Sequence, residues 1–254
     1  MSTGPTNRVV TPLVSGPIPL YHQLRQALRD RIAAGEWRPG DQVPTLRELC
    51  QLYGVSRITA IQALGALAHE GVLARKQGKG TFVAEPKIEH GPVRLLSFTE
   101  DIARRGHVPG SRILELARIP AGQTIAARLQ LAPGDAVVLL RRLRLIDGKP
   151  MGVQNAYLPD DLFPGLAQMR EPIDSLYRLL DVRYGVVPAK ATEAYEPIVV
   201  DDEIASLLGV RRGVPAFSVE RVTRDQRNRL VEFTVSVLRG DRYKVVLDLA
   251  GPGL

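Results

Sequence analysis

The stretch from Val43 to Val83, VPTLRELCQLYGVSRITAIQALGALAHEGVLARKQGKGTFV, constrains the fold more than any other part of the chain. It reads as two short helices meeting at a tight turn, followed by a β-hairpin with a basic, glycine-rich tip. Thr45 and Glu48 have capping-box spacing, in which the hydroxyl accepts from the Glu48 amide and the carboxylate reaches back to the Thr45 amide. The helix they open runs to about Tyr53, and Gly54 supplies the sharp turn that helix-turn-helix units often use. Ser56 is a second N-cap, which puts Arg57, Ile58 and Thr59 in the first turn of the next helix. Ala60, Ala63, Leu64 and Leu67 recur on the face that meets the core, and Gly71 ends the helix. Val72–Lys76 and Thr81–Ala84 read as strands around Gln77-Gly78-Lys79-Gly80. This order describes a winged helix-turn-helix, a unit whose second helix presents its N-terminal residues to base edges in the DNA major groove.

At 254 residues the chain can hold two domains, each with its own core. Its 44% hydrophobic and 24% charged content is that of an ordinary globular protein and excludes the disordered and fibrous classes. The net charge of +7 favours a polyanionic partner, but it is spread out. Residues 1–90 hold 11 Lys+Arg against 7 Asp+Glu, and the remainder 23 against 20, so the motif carries the DNA argument and the charge only supports it. The single cysteine, Cys50, can form no internal disulfide, which fits a reducing compartment; it reads as a small apolar residue within a short helix. The start MSTGPTNRVV lacks an apolar signal core, and no run approaches the ~20 apolar residues of a membrane helix. A soluble, cytoplasmic protein with no membrane partner is therefore expected.

Residues 1–17 are polar and proline-dotted and are expected to be mobile. Pro19 opens a helix on which Leu20, Leu24, Leu28 and Ile32 recur every four residues up to Gly35. Trp37 and Pro39-Gly40-Asp41 connect it to the winged unit. Residues 84–92, AEPKIEHGP, contain two prolines, one glycine and no apolar period, and read as a linker. The expected division is a winged domain over 18–84, a linker over 85–92 and a second domain over 93–254. In that second domain a capping box at Ser97 and Glu100 opens a helix that stops at Gly106. A strand over 111–120, a helix over 122–130 and a long hairpin over 135–159, turning at Asp147-Gly148, follow. Residues 173–184 and 201–208 read as helices, the second with Asp201-Asp202-Glu203 at its positive end. KATEAYEPIVV, VPAFSVERVTRD and RLVEFTVSVLRGDRYKVVLDL read as strands, the last two joined across Gln226-Arg227-Asn228. Antiparallel strands with interspersed helices indicate an α+β domain with a mainly antiparallel sheet.

Two groups of residues carry chemistry. Arg57 has the fork geometry for bidentate contact with guanine, the alternatives being a phosphate clamp or solvated surface, and Arg47 can reach a neighbouring base or a phosphate or be an ordinary exposed helix arginine. Ser56 and Thr59 serve as caps and can also meet a phosphate at the helix N-terminus. Lys79 stands between Gly78 and Gly80 in the hairpin tip. In the second domain Arg142 and Arg144 are two apart on a strand, so they share a face at about 6.6 Å while Leu143 and Leu145 face the core. Two guanidiniums with no acidic neighbour in sequence either invite an anion or form a solvated strand face. The helix start Ser97-Phe98-Thr99 offers free amides to the same anion. His22, His69, His90 and His107 lack metal-ligand spacing, and there is no nucleophile–base constellation and no Walker or Rossmann glycine loop. No catalytic residue, metal or cofactor is expected.

PLYHQL, RPGDQVPTLRELCQLYGVSR and ALGALAHEGVLARKQGKGTFV resemble the DNA-binding domain of the GntR family of bacterial transcription regulators. RLLSFTEDIARRGHVPGS, RRLRLIDGKPMGVQNAYLP and LVEFTVSVLRGDRYKVV resemble its HutC subfamily, whose sensor is a UTRA domain of chorismate-lyase-like fold. The resemblance covers roughly residues 18–250. It implies a homodimeric repressor, bound to an inverted-repeat operator in double-stranded DNA and released by a small anionic effector. Carried onto this chain, it implies DNA contacts at Thr45, Arg47, Ser56, Arg57, Thr59, Gln77, Gly78 and Lys79. It also implies effector contacts at Ser97, Phe98, Thr99, Arg142 and Arg144, with Ser175 and Tyr177 completing a phosphate site. Gln154 and Glu232 stand where relatives bind sugar hydroxyl or amide groups. Four departures are visible. Ile61 replaces the family's usual arginine, Leu46 a frequent acidic residue, Gln154 a frequent glutamate and Leu238 an aromatic. A phosphorylated amino sugar is the first candidate effector and a carboxylate metabolite the second. Two other readings are a lyase-like enzyme, which fold alone does not support, and an effector-insensitive DNA-binding dimer.

Overall fold

A computed structural model describes residues 13–14, 16–85, 87–90 and 95–246. The expected mobile tail lies mostly outside them, as does the end of the expected last strand at 247–249. The chain forms two units that part between Pro86 and Lys87.

In the first unit α1 (Leu20–Ala33), α2 (Leu46–Tyr53) and α3 (Arg57–His69) are followed by β1 (Leu73–Lys76) and β2 (Gly80–Val83). Leu24 and Leu28 on α1 close over Ala60, Ala63, Leu64 and Leu67 of α3, with Leu49 and Tyr53 of α2 completing the core. Each fully buried leucine contributes roughly 1.5–3 kcal/mol, and the alanines on α3 allow α1 to approach it closely. Thr45 and Glu48 form the expected reciprocal cap, and Gly54 adopts the left-handed conformation (φ 64°) that ends α2 without a Cβ clash. β1 and β2 pair antiparallel from Leu73–Val83 to Lys76–Gly80, and a bridge from Gln42 to Phe82 flanks them.

The second unit opens with β3 (Ile88–His90) and α4 (Phe98–Arg104), and continues through β4 (Pro109–Pro120), α5 (Gln123–Leu129), β5 (Ala136–Ile146) and β6 (Lys149–Pro159). Two 3₁₀ turns, Asp160–Leu162 and Leu166–Gln168, lead to α6 (Leu176–Tyr184). Then come β7 (Pro188–Val199), α7 (Asp202–Leu208), β8 (Pro215–Asp225), β9 (Leu230–Arg239) and β10 (Tyr243–Val245). Six strands form one antiparallel sheet in the order β4-β5-β6-β9-β8-β7. The β5–β6 turn uses positive φ at both Asp147 (51°) and Gly148 (74°), the pairing that matches strand twist in a two-residue hairpin.

Both faces of this sheet are covered. Val137 and Phe233 pack with Ala126 and Leu129 of α5, and Leu143 and Val153 with Ala205 and Leu208 of α7. On the opposite face two apolar clusters stand apart. One gathers Val138, Leu140, Ala156 and Leu158 beneath Leu176 and Leu180 of α6. The other gathers Ile146 and Met151 beneath Ile102 of α4, with Ile88 and Tyr243. Arg142 and Arg144 lie on β5 between these clusters, so neither is on a solvated strand face: they are 1% and 5% exposed.

Two expectations change. The stretch 85–92 is not linker throughout, because Ile88–His90 pair in parallel with Tyr243–Val245 and Ile88 is buried. Only one apolar residue marks this strand, too few to show a period. The expected single strand from Arg229 onward breaks at Gly240-Asp241-Arg242, where the backbone turns and β10 leaves the main sheet for β3.

Gly152 on β6 is packed so closely that an added Cβ would lie 2.6 Å from Leu238 Cδ2 and 2.8 Å from the Val237 carbonyl oxygen. Gly152→Ala is expected to destabilise the second unit by about 1–3 kcal/mol in urea unfolding, as overpacking against backbone does. Unchanged stability would contradict the β6–β9 register.

Candidate nucleic-acid interface and anion pocket

The first site is built on helix starts. Ser56 Oγ accepts from the Thr59 amide at 3.2 Å and lies 2.9 Å from Thr59 Oγ1, so both hydroxyls hold the start of α3. Thr45 Oγ1 donates to Glu48 Oε2 at 2.8 Å and accepts from the Glu48 amide at 3.3 Å. The Thr45 amide, which donates to the same Oε2 at 2.7 Å, and then the Thr45 hydroxyl hold the Glu48 carboxyl below its ordinary pKa. The caps point the first turns of α2 and α3 outward. Arg47 and Arg57 are exposed there, and among the described residues neither is paired with a carboxylate. Beside Arg57, Ile58 is 70% and Ile61 43% exposed. Two apolar side chains on the outer face of such a helix suit the methyl groups of thymine. The wing tip turns through Gln77, Gly78 and Lys79, with the Lys79 amide on the Lys76 carbonyl at 3.0 Å. Gln42 Nε2 donates to the Lys79 carbonyl at 3.3 Å and buttresses the tip. Gly80 (φ 121°) leaves Gln42 its place, since a Cβ there would meet Nε2 at 2.5 Å.

The second site lies in the gap between the two apolar clusters. Ser97, Phe98, Thr99, Arg142, Arg144 and Gln154 share one small pocket with Tyr177 and Glu232. Ser97 caps α4 through Glu100, as the spacing required, and Ser175 caps α6 through the Arg178 amide. The two N-caps meet at 3.5 Å, and Thr99 Oγ1 donates to the Asp174 carbonyl at 2.8 Å, so the starts of α4 and α6 converge. Ser175 supports this convergence from behind and is not in the pocket wall.

The electrostatics of the pocket are unbalanced. Gln154 Oε1, one neutral oxygen, accepts from Arg142 Nη2 at 2.9 Å and from Arg144 Nε and Nη2 at 3.2 and 2.7 Å. Arg144 also donates to Ser111 Oγ at 2.6 Å and stacks 4.8 Å from the Phe98 ring. Among the described residues Arg142 Nε and Nη1 are buried with no hydrogen-bond partner. Burial pushes Arg142 down to about 10 against the pull of Glu232. It pushes Arg144 well below its ordinary value, and the neighbouring Arg142 adds to this. A guanidinium keeps its proton at neutral pH, so these shifts express an electrostatic cost that a bound anion would relieve. Glu232 does not fill that role directly: it accepts from the Tyr177 hydroxyl at 3.0 Å and from Thr223 Oγ1 at 3.1 Å.

A residue that the spacing argument passed over also enters the wall. Arg221 on β8 lies in the same pocket, donating from Nε to Glu193 Oε1 at 2.6 Å and from Nη1 to the Tyr177 hydroxyl at 3.4 Å. Burial acts to lower its pKa, but Tyr177, Glu193 and Glu232 outweigh burial and raise it. The signal was the two-residue period Val219, Arg221, Thr223, which puts Arg221 on the face of Glu232. The small pocket opens past Phe98, Arg144, Gln154 and Arg221 into a cavity of about 1030 Å³, walled by Ile102, Ile146, Met151, Val219 and Leu238 with the hydroxyls of Thr234 and Ser236. The arrangement can hold an anionic head on guanidiniums and a larger body beside it. Among the described residues no cluster of His, Cys, Asp and Glu could hold a metal, and no helix is long and apolar enough to cross a membrane.

Comparison with known proteins finds relatives of both units. The UTRA domain family matches residues 104–244, and the family described as bacterial regulatory proteins, gntR family, matches residues 20–83. The HTH-type transcriptional repressor NagR of Bacillus subtilis is 36% identical over 231 residues, covering 91% of this chain and 94% of that protein. The histidine utilization repressor of Pseudomonas putida is 31% identical over 224 residues, covering 88% and 89%. The crystal structure of PhnF from Mycobacterium smegmatis superposes with a TM-score of 0.62 at 30% identity, covering 90% of this chain and 99% of that one.

The uncompensated charge yields a sign that can be checked. The folded-state pKa of Arg142 lies below that of the unfolded chain, so its cost is present in full at neutral pH and fades only above about 10. Arg142→Met is expected to stabilise the ligand-free second unit by ~1–4 kcal/mol at pH 7, as replacement of buried charge often does. Thermal melts in chloride read this. A large loss of stability would mean that Arg142 is compensated by contacts other than those described.

Proposed function

The chain belongs to the gntR family of bacterial regulatory proteins and carries a UTRA domain, and on that premise we propose that it is a repressor released from its operator by a small anion held at Arg142 and Arg144. It is a DNA-binding transcription regulator and not an enzyme. The observation that carries the finer reading is the buried, under-neutralised arginine pair within reach of two converging helix starts. Ser97, Phe98 and Thr99 bound the head of the ligand, with Tyr177 and Glu232 beyond. Gln154 is engaged by both arginines, and Leu238 presents an apolar wall. A phosphorylated amino sugar is the first candidate, and a carboxylate metabolite the second because these two residues depart from a sugar-binding pattern.

DNA is read by the first turn of α3 together with Arg47 and the wing residues Gln77, Gly78 and Lys79. Arg57 reads a guanine edge, Ile58 and Ile61 meet thymine methyls, and Thr45, Ser56, Thr59 and Lys79 serve the backbone. The chain acts as a two-fold dimer through residues 93–250, so the operator is an inverted repeat, and residues 18–84 alone bind it more weakly. Effector binding favours the DNA-incompetent arrangement, since a ligand shifts an equilibrium only through differential affinity.

Duplexes selected from a randomised library test the reading half. Arg57→Ala is expected to cost ~1–3 kcal/mol and relax preference at one base pair per half-site. Lys79→Ala should weaken all sequences alike and lower the salt slope by about 1. Thymine-to-uracil substitution should weaken wild-type binding where Ile58 and Ile61 lie. Unchanged preference in Arg57→Ala would remove α3 as the reading helix. For the sensing half, Arg142→Ala combined with Arg144→Ala should still bind operator yet no longer release it when N-acetylglucosamine 6-phosphate or a carboxylate effector found by screening is added. Calorimetry showing unchanged effector affinity in this double variant would place the site elsewhere.

A further inference from the structure

A chain of side-chain bonds leaves the anion pocket and ends on the strand that holds the start of the second unit. Arg221 Nη1 reaches the Tyr177 hydroxyl in the pocket, and its Nε is on Glu193 Oε1 at 2.6 Å. The other oxygen of that carboxylate accepts from the Tyr195 hydroxyl at 2.6 Å. The Tyr195 hydroxyl is also paired with that of Tyr243, which is 8% exposed on β10. β10 pairs with β3 over three residues, and the Ile88 amide donates to the Arg242 carbonyl at 2.7 Å. Lys87 Nζ adds a bond to the Gly240 carbonyl at 2.7 Å. β3 begins two residues after Pro86, where the chain leaves the DNA-binding unit.

We propose that Arg221 is the third guanidinium of the anion site and that, through Glu193 and Tyr195, it ties occupancy of that site to the hold of Tyr243 and β10 on β3. This rests on the reading of Arg142 and Arg144 as an anion site. Arg221 divides its donors between Glu193 and the pocket, so an anion there competes with Glu193 for the same guanidinium. As Arg221 turns to the anion, the Glu193 carboxylate loses a charged partner and the two tyrosine hydroxyls lose a fixed acceptor. Most of the sheet would not respond, because its strands are long and pack on both faces. The β3–β10 pair would, since a short two-stranded pairing is marginal by itself and small bonding changes decide whether it is formed. Among the described residues β3 is also the first element after the unit boundary, so loosening it changes the tether of the DNA-binding unit.

Spatial continuity does not by itself demonstrate coupling, so the test reads both ends of the chain at once. Inorganic phosphate is the probe, compared with chloride at matched ionic strength. Amide exchange is followed in the full-length protein and in Tyr195→Phe and Tyr243→Phe, which lose only a hydroxyl. In wild type, phosphate should slow exchange at Phe98 and Thr99 and speed it about fivefold or more over Ile88–His90 and Tyr243–Val245, the lower end of ordinary coupling. Both phenylalanine variants should keep the first response, exchange faster than wild type over β3 and β10 already in chloride, and show no further response there to phosphate. Arg221→Lys, which keeps the charge but loses the fork, should bind phosphate more weakly and lose the second response. A wild type that responds at Phe98 and Thr99 but not at β3 and β10 overturns the tie, as do variants that retain both responses. Wild-type phosphate affinity in Arg221→Lys removes Arg221 from the site. If phosphate produces no response at Phe98 and Thr99, or the same response in Arg142→Ala, the anion site itself is wrong and this inference falls with it.

Discussion

Two buried guanidiniums sharing one amide oxygen set the terms for the second unit. Arg142 and Arg144 cannot be buried cheaply, and Gln154 Oε1 brings no charge to offset them. The sheet therefore cannot close over this point with an apolar layer as it does on either side. Instead the starts of α4 and α6 converge there, Glu232 and Tyr177 approach from β9 and α6, and Arg221 and Glu193 arrive from β8 and β7. The pocket is what remains when a fold keeps a charge inside and leaves it under-neutralised. Such a site is costly without a ligand and gains in proportion when an anion enters, as a sensor requires.

The two units divide the labour by chemistry. Among its described residues the first buries no charged residue as a whole, and it leaves Arg47, Arg57 and Lys79 exposed, where they can meet a duplex at little cost to folding. The second places cations inside. A long polyanion is met by an exposed basic surface and a helix end, whereas a small anion is selected by burial and by the number of donors that reach it. Cap chemistry serves both: Thr45 and Ser56 fix the helix starts that face outward, and Ser97 and Ser175 fix those that face the pocket.

Local rules made the winged unit legible. Both caps, the turn glycine and the inward set Ala60, Ala63, Leu64 and Leu67 follow from spacing within a dozen residues. The α+β class and the β5–β6 hairpin were legible for the same reason, an Asp-Gly turn between two strong strands. Long-range facts were not. Spacing left Arg142 and Arg144 open between an anion site and a solvated strand face, because the elements that enclose them, α4 and α6, lie far along the chain. Arg221 was visible only as one polar residue in an ordinary strand, since its value comes from Tyr177 and Glu193 on other elements. β3 escaped notice because three residues carry no period and its partner is more than 150 residues away. Where the family resemblance supplied ligand positions, it named Ser97, Phe98, Thr99, Arg142, Arg144, Gln154, Ser175, Tyr177 and Glu232, and the fold brings all of them but Ser175 to one pocket.

The central claim is that one anion site and one DNA-reading surface bias the same equilibrium. Linkage makes that claim symmetric: if an anion weakens operator binding by some factor, operator must weaken anion binding by the same factor. The most direct measurement is therefore the affinity of the protein for its anion, first free and then saturated with a selected operator duplex, at fixed ionic strength. The account predicts weaker anion binding on the DNA-bound protein, by the factor that the anion takes from operator affinity. Equal anion affinity in the two states would contradict it, and would leave a DNA-binding protein whose anion site has no bearing on DNA.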